Sequence, residues 1–179
     1  VTLDEQLAQS TADWLVRIDS LGKATPDLKA ILWFFGRSHL ASAARDSLLD
    51  AAIGLESLLI PDPGESTYKF RLHGAALLSA VIQGDLDDDL KGIYDLRSRA
   101  AHGTARDRDF ERLAPRSRQM LAQAIAAAIQ LFEGGELAPD ANGGDIAKAI
   151  KGLVKKRACR VGESSPNQAL QADGAPRRR

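Results

Sequence analysis

Between Pro115 and Glu133 the chain runs without a glycine, is rich in alanine, and is closed by Gly134-Gly135. Alanine is the strongest helix former, a proline at the first helical position gives up an N–H that would lack a partner anyway, and glycine after the last turn is the commonest stop. The run therefore predicts a helix about 28 Å long at 1.5 Å per residue. An amphipathic rod of that length needs partners along its whole apolar stripe. No segment alternates apolar and polar residues as a half-buried strand does, and aromatics are only 5% of the 179 residues. The partners are then other helices, and the fold class is an all-α bundle.

Five further helical segments are expected ahead of this rod. The first opens with Thr2 as N-cap and Asp4 and Glu5 in its first turn, ends near Leu21-Gly22, and buries Leu7, Ala8, Leu15, Val16 and Ile18. The second starts after Pro26 and runs through Leu28, Ile31, Leu32 and Phe35. The third spans Ser42 to Leu59 and is stopped by Pro61-Asp62-Pro63-Gly64. The fourth runs from Ser66 or Thr67 to about Val81, and the fifth from Leu86 to Ala101 after the break at Gly84-Asp85. Beyond the rod, a short amphipathic piece from Asp145 to Lys156 leads into a tail. The expected organisation is one helical domain over residues 1–145, followed by the short helix and a disordered basic tail over 146–179. Residues from Val161 to Ala175 are rich in Gly, Ser, Pro, Gln and Asn and bury too little apolar surface to stay ordered.

The net charge of zero hides an asymmetry. Residues 148–179 carry nine Lys/Arg against two Asp/Glu, a net +7, which leaves 15 against 22, a net −7, on residues 1–147. A basic arm on an acidic body suits nucleic acid or a docking partner. No stretch of 18 apolar residues predicts a membrane span, and the first residues lack the basic and apolar regions of a signal peptide, so a cytoplasmic location is expected. Cys159 is the single cysteine, and no cysteine–histidine cluster predicts zinc; the expected cofactor set is empty.

Chemistry concentrates in Ile93-Tyr94-Asp95-Leu96-Arg97-Ser98-Arg99-Ala100-Ala101-His102-Gly103. An arginine is always charged and binds two phosphate oxygens at once, while a histidine moves protons near neutral pH. Together they suit attack of a ribose 2′-hydroxyl on its own 3′-phosphate, with no metal needed. On an ideal helix the two side chains stand about 140° apart. They share a substrate only if the helix stops between them, with Gly103 as the candidate stop, or if a two-fold axis brings two copies of the motif together. On spacing alone, a surface arginine beside a helix-terminal histidine accounts for the pair better, because R-x4-H is common by chance.

The wording around the pair resembles the ApeA-like branch of the HEPN ribonuclease superfamily, whose motif is R-x4-6-H. Ala51-Ala52-Ile53-Gly54-Leu55-Glu56-Ser57-Leu58-Leu59 is similar to that family's A-L-E-x-L-L helix. Glu65-Ser66-Thr67-Tyr68-Lys69-Phe70-Arg71-Leu72 is similar to its E-L-S-Y-R-F segment, and the block ending in His102-Gly103 follows in the expected order. The resemblance covers about Leu48 to Gly103. It implies a HEPN-type antiparallel helical bundle that forms a homodimer, with RNA as substrate and Arg97 and His102 as catalytic residues of a metal-independent endoribonuclease in antiviral defence or stress response. An inhibitor or sensor protein would be a further partner. A non-catalytic HEPN module for RNA or protein binding is the alternative. The chain departs from the family in having Arg99-Ala100-Ala101 where Lys-Ile-Val often precedes the histidine, and in having no room for an amino-terminal recognition domain.

Three more residues are assigned to substrate binding or orientation. Glu56 interrupts an apolar helix, so its carboxylate needs a partner, either Arg71 or Arg97. Arg99 is a candidate contact to the RNA backbone. Arg106, Arg108, Arg112, Arg116 and Arg118 are interleaved with Asp107, Asp109 and Glu111, which reads as a salt-bridged surface rather than a phosphate track. Asp85, Asp87, Asp88 and Asp89 read as the cap and acidic first turn of a helix rather than a cation site. His73 is expected in the core, and Trp14, Trp33, Phe34 and Phe35 in the core or at a dimer interface.

Overall fold

In the computed structural model the described residues are 9, 13, 16, 19, 26–60, 66–79, 81, 86–137 and 143–163. Among them the chain is helical throughout, with six helices: α1 (Pro26–Leu40), α2 (Ala44–Leu59), α3 (Ser66–Leu78), α4 (Leu86–Ala101), α5 (Asp107–Glu133) and α6 (Gly143–Glu163). None of these helices is long and apolar enough to cross a membrane.

The rod α5 lies along α2, and α1 packs along α2 and also touches α5; α3 and α4 form a neighbouring pair. One large apolar cluster joins all six helices through residues such as Leu28, Leu55, Leu77, Leu90, Leu121 and Ile150. A second, smaller cluster sits at one end, where Leu48 of α2, Leu96 and Ala100 of α4, and Phe110, Leu113 and Ala114 of α5 meet. Two glycines set the closest approaches. A Cβ on Gly54 would stand 2.8 Å from Leu121, and one on Gly74 would stand 2.8 Å from Leu90.

Several helix ends differ from the sequence reading, among them the start of α2 at Ala44 rather than Ser42. α5 begins at Asp107, so Pro115 lies inside the helix rather than at its start. An internal proline removes one hydrogen bond and costs about 3 kcal/mol. Phe110, Leu113 and Ala114 offset that loss by burying themselves in the smaller cluster, and Pro115 stays at the exposed side. α1 continues past Phe35 to Leu40: Gly36 weakens the helix without ending it, no proline intervenes, and Arg37 and His39 suit its last turn. α3 stops at Leu78, short of Val81. α6 spans Gly143–Glu163, longer at both ends than expected, and takes in Val161 at the start of the stretch read as unordered. It is also docked, since Ile146 and Ile150 are buried in the main cluster. Lys148 and Lys155 are exposed on the same helix, so the first part of the basic arm is a fixed surface.

α4 was read with the correct ends, Leu86 and Ala101. The aspartates at its start form an acidic first turn, as expected. His73 is buried, and its Nδ1 donates to the Leu59 carbonyl at 2.7 Å. Trp33, expected in the core or at a dimer interface, is outside the core of the single chain at 56% exposure, and the Arg37 guanidinium sits 4.6 Å over its ring. Val16, assigned to the buried face of the first helix, is exposed. The remaining assignments there (Thr2, Asp4, Glu5, Leu7, Ala8, Leu15 and Ile18), together with Trp14, Asp85 and the tail beyond residue 163, lie outside the described residues.

Candidate functional site

Glu56 comes from the last turns of α2 and Arg97 from the last turns of α4. Their helices are brought side by side by Leu55 and Ile93 in the main cluster and by Leu48 and Leu96 in the smaller one. Arg97 Nη2 stands 2.9 Å from Glu56 Oε2, with side-chain exposures of 37% for the arginine and 19% for the glutamate. Burial pushes the Glu56 carboxyl above its ordinary range, and the nearby Arg97 charge and hydrogen bond oppose that shift without cancelling it. The pair holds the guanidinium through Nη2, and the arginine side chain stays partly exposed.

Of the two partners weighed for Glu56, the structure brings Arg97. Arg71 turns instead to Asp87 at the start of α4 and binds both of its carboxylate oxygens. That contact holds the Asp87 carboxyl below its ordinary range and raises the Arg71 guanidinium further. Arg71 thus ties α3 to α4 and does not reach the Glu56–Arg97 pair. Arg99 faces α5 and lies 3.5 Å from Asp109.

His102 is exposed, and no hydrogen bond or ion pair of its side chain is found among the described residues. Its position follows from the way α4 ends. The His102 N–H still bonds the Ser98 carbonyl at 3.3 Å, so the helix does not stop between Arg97 and His102. It stops one residue later. Gly103 has φ +69°, its N–H returns to Ala100 O at 3.2 Å, and the Thr104 N–H returns to Arg99 O at 2.9 Å. This is a Schellman ending, which favours glycine because any side chain is strained at that φ. The stop at Gly103 therefore fixes His102 on the helix instead of freeing it to swing toward Arg97. The two motif side chains point about 140° apart, Arg97 toward α2 and His102 outward.

Around the motif, most charges are committed to holding helices together. Arg116 binds Asp89 at 2.7 Å, and Arg118 donates to Ser47 Oγ at 2.8 Å, which in turn donates to the Ser38 carbonyl at 2.7 Å. Arg37 lies 3.2 Å from the buried Asp50. Among the described residues no group of three or more His, Cys, Asp or Glu is arranged to hold a metal ion.

Arg108 and Arg112 were grouped with their acidic neighbours in the sequence reading. With a helix start at Pro115 they fall in a loop, where helical spacing cannot sort them. The apolar spacing of Phe110, Leu113, Ala114 and Ser117 is the signal that extends the helix back to Asp107.

Comparison with family models, curated proteins and solved structures returned no match to this chain.

Proposed function

We propose that the chain is a HEPN-type, metal-independent endoribonuclease acting through Arg97 and His102. The observation that carries this reading is the anchoring of Arg97. An arginine held through Nη2 by a mostly buried glutamate is fixed in place while part of its side chain stays exposed, as a group that receives a phosphate must be. His102 supplies an exposed imidazole five residues on.

In this reading an imidazole removes the proton from a ribose 2′-hydroxyl as that oxygen bonds to the adjacent phosphorus. The bond from phosphorus to the 5′-oxygen breaks, and an imidazolium returns a proton to that oxygen. The products are a 2′,3′-cyclic phosphate and a 5′-hydroxyl. Charge building on the non-bridging oxygens is met by the guanidinium. Because Arg97 and His102 of one copy diverge, the proposed site is composite, with the arginine of one protomer beside the histidine of its partner in a homodimer.

The alternative is a non-catalytic module that binds RNA or protein, which the net −7 of residues 1–147 favours, since an acidic body repels RNA at long range. Incubating labelled RNA with the protein in EDTA, beside Arg97→Ala and His102→Ala at matched oligomeric state, separates the two. Cyclic-phosphate ends that vanish in both variants are the expected result. Absence of cleavage by the parent protein, or equal cleavage by His102→Ala, refutes the ribonuclease reading.

A further inference from the structure

The charged residues of α4 and α5 are sorted in space in a way their order in the chain does not suggest. The two helices run antiparallel, joined at residues 102–106, with the Arg99–Asp109 and Arg116–Asp89 pairs as rungs between them. With Asp107 as origin and about 100° per residue, Asp109 and Arg116 stand at roughly 200° and 180°, which marks the side of α5 that meets α4. Arg108 and Arg112 then stand at roughly 100° and 140°, on the shoulder beside that seam, while Asp107 and Glu111 stand at roughly 0° and 40°, further round.

On α4, counted from Leu86, Asp89 and Gly92 face α5 at roughly 300° and 240°, and His102 lies at roughly 160°. For antiparallel right-handed helices these shoulders fall on the same outer side of the hairpin. Arg97, at roughly 20°, falls on the opposite side, toward α2 and Glu56. His102 therefore shares a surface with Arg108 and Arg112 and not with the arginine of its own motif.

The state of the arginines points the same way. Of the ten up to residue 118 whose side chains are described, Arg37, Arg71, Arg97, Arg99, Arg116 and Arg118 are held by acidic groups or by Ser47. Arg45, Arg106, Arg108 and Arg112 are exposed and make no hydrogen bond or ion pair among the described residues. All four lie on the ends of α2 and α5, or on the link before α5, that surround the smaller apolar cluster beside His102. On the hairpin's outer side Asp109 is already paired with Arg99 and Asp88 lies further back along α4, while Asp95, at roughly 180°, stands level with Arg112 across the seam.

We propose that the outer side of the α4–α5 hairpin, at its His102 end, binds the phosphate backbone of single-stranded RNA, with Arg108 and Arg112 as its two main contacts. The proposal rests on the ribonuclease reading and names the surface that delivers the strand to His102. The two arginines rise about 6 Å apart along the helix, and each can fork onto phosphate oxygens. A protein partner would need an exposed aromatic or aliphatic anchor, and the exposed large apolar residues (Val16, Trp33, Leu40, Tyr68 and Val81) all lie off α4 and α5. A strand on this surface meets His102 but turns its back on the Arg97 of the same copy, so the partner's guanidinium must close the site.

The test uses the full chain and an oligouridylate carrying 2′-O-methyl groups, which cannot be cleaved by 2′-oxygen attack. Binding is followed by fluorescence anisotropy across a salt series for the parent, Arg108→Gln/Arg112→Gln, and Lys148→Gln/Lys151→Gln/Lys155→Gln, with helicity checked by circular dichroism. Loss of two backbone contacts lowers the slope of log K against log salt by about 1.4. An unchanged slope in the arginine variant overturns the proposal, all the more clearly if the lysine variant loses it instead. No binding by the parent overturns it together with the ribonuclease reading. A lowered slope in a protein that fails to cleave ordinary RNA leaves the surface standing and refutes only the catalytic assignment.

Discussion

Replacing Glu56 by glutamine tests what the Glu56–Arg97 pair contributes. The glutamate is mostly buried and the arginine is a little over one-third exposed, at 2.9 Å. Exposed ion pairs contribute about 0–1 kcal/mol, whereas removing one partner of a fully buried pair costs about 3–5 kcal/mol. Here burial acts on the carboxylate more strongly than the arginine does, so its protonation is favoured in the folded state. A glutamine keeps an oxygen able to accept from Nη2 and removes the buried charge, while Arg97 retains contact with water. The two effects nearly cancel, and Glu56→Gln changes stability at pH 7 by no more than about 1 kcal/mol. Glu56→Ala removes the acceptor as well and costs about 1–3 kcal/mol.

The pH dependence has a definite sign. A carboxyl raised above its unfolded value of 4.5 adds stability below that value, and this contribution is lost as pH rises through the higher folded value. Urea unfolding from pH 4 to pH 7 therefore shows a falling contribution in the parent that is missing in Glu56→Gln. A loss above about 2 kcal/mol in Glu56→Gln at pH 7, or an unaltered pH slope, refutes this balance of burial against attraction. In the cleavage assay Glu56→Gln keeps Arg97 in place and retains more activity than Glu56→Ala.

Two further predictions concern glycines. Gly54→Ala gains about 1 kcal/mol of helix propensity but forces a Cβ to within 2.8 Å of Leu121, an overpacking that costs about 1–3 kcal/mol, so it is neutral to destabilising by about 2 kcal/mol. Gly36→Ala, with nothing within 4 Å of the new Cβ, keeps the whole gain of about 1 kcal/mol; equal shifts of the two urea midpoints would refute the close approach of α2 and α5. Gly103→Ala, forced to φ +69°, loses about 1–2 kcal/mol and lowers the melting temperature by about 2–4 °C per kcal/mol, whereas Gly103→Asn loses less. A Gly103→Ala variant that melts with the parent would show that the chain leaves α4 another way.

Much of the bundle was legible in the chain. Where strong local signals coincide, as at the acidic first turn of α4 and the Gly103 that ends it, the observed ends agree with the sequence reading. The charge and apolar spacing around Glu56 likewise marked it as a partly buried carboxylate in need of an arginine. Pro115 is the instructive exception. Its local meaning is a helix start, but Phe110, Leu113 and Ala114 gain more by burial than the proline costs, and those contacts come from α2 and α4.

Sequence by itself thus determined that this protein is helical, which residues cap and stop several of its helices, and which short segment carries the arginine–histidine pair. These are properties of propensity and spacing within one or two turns. Only the tertiary structure decided that Glu56 takes Arg97 while Arg71 takes Asp87, that the lysines of α6 belong to a docked helix, and that His102 and Arg97 face opposite sides of α4. Each of those outcomes depends on which helix lies beside which, and that is settled by burial shared among residues far apart in the chain.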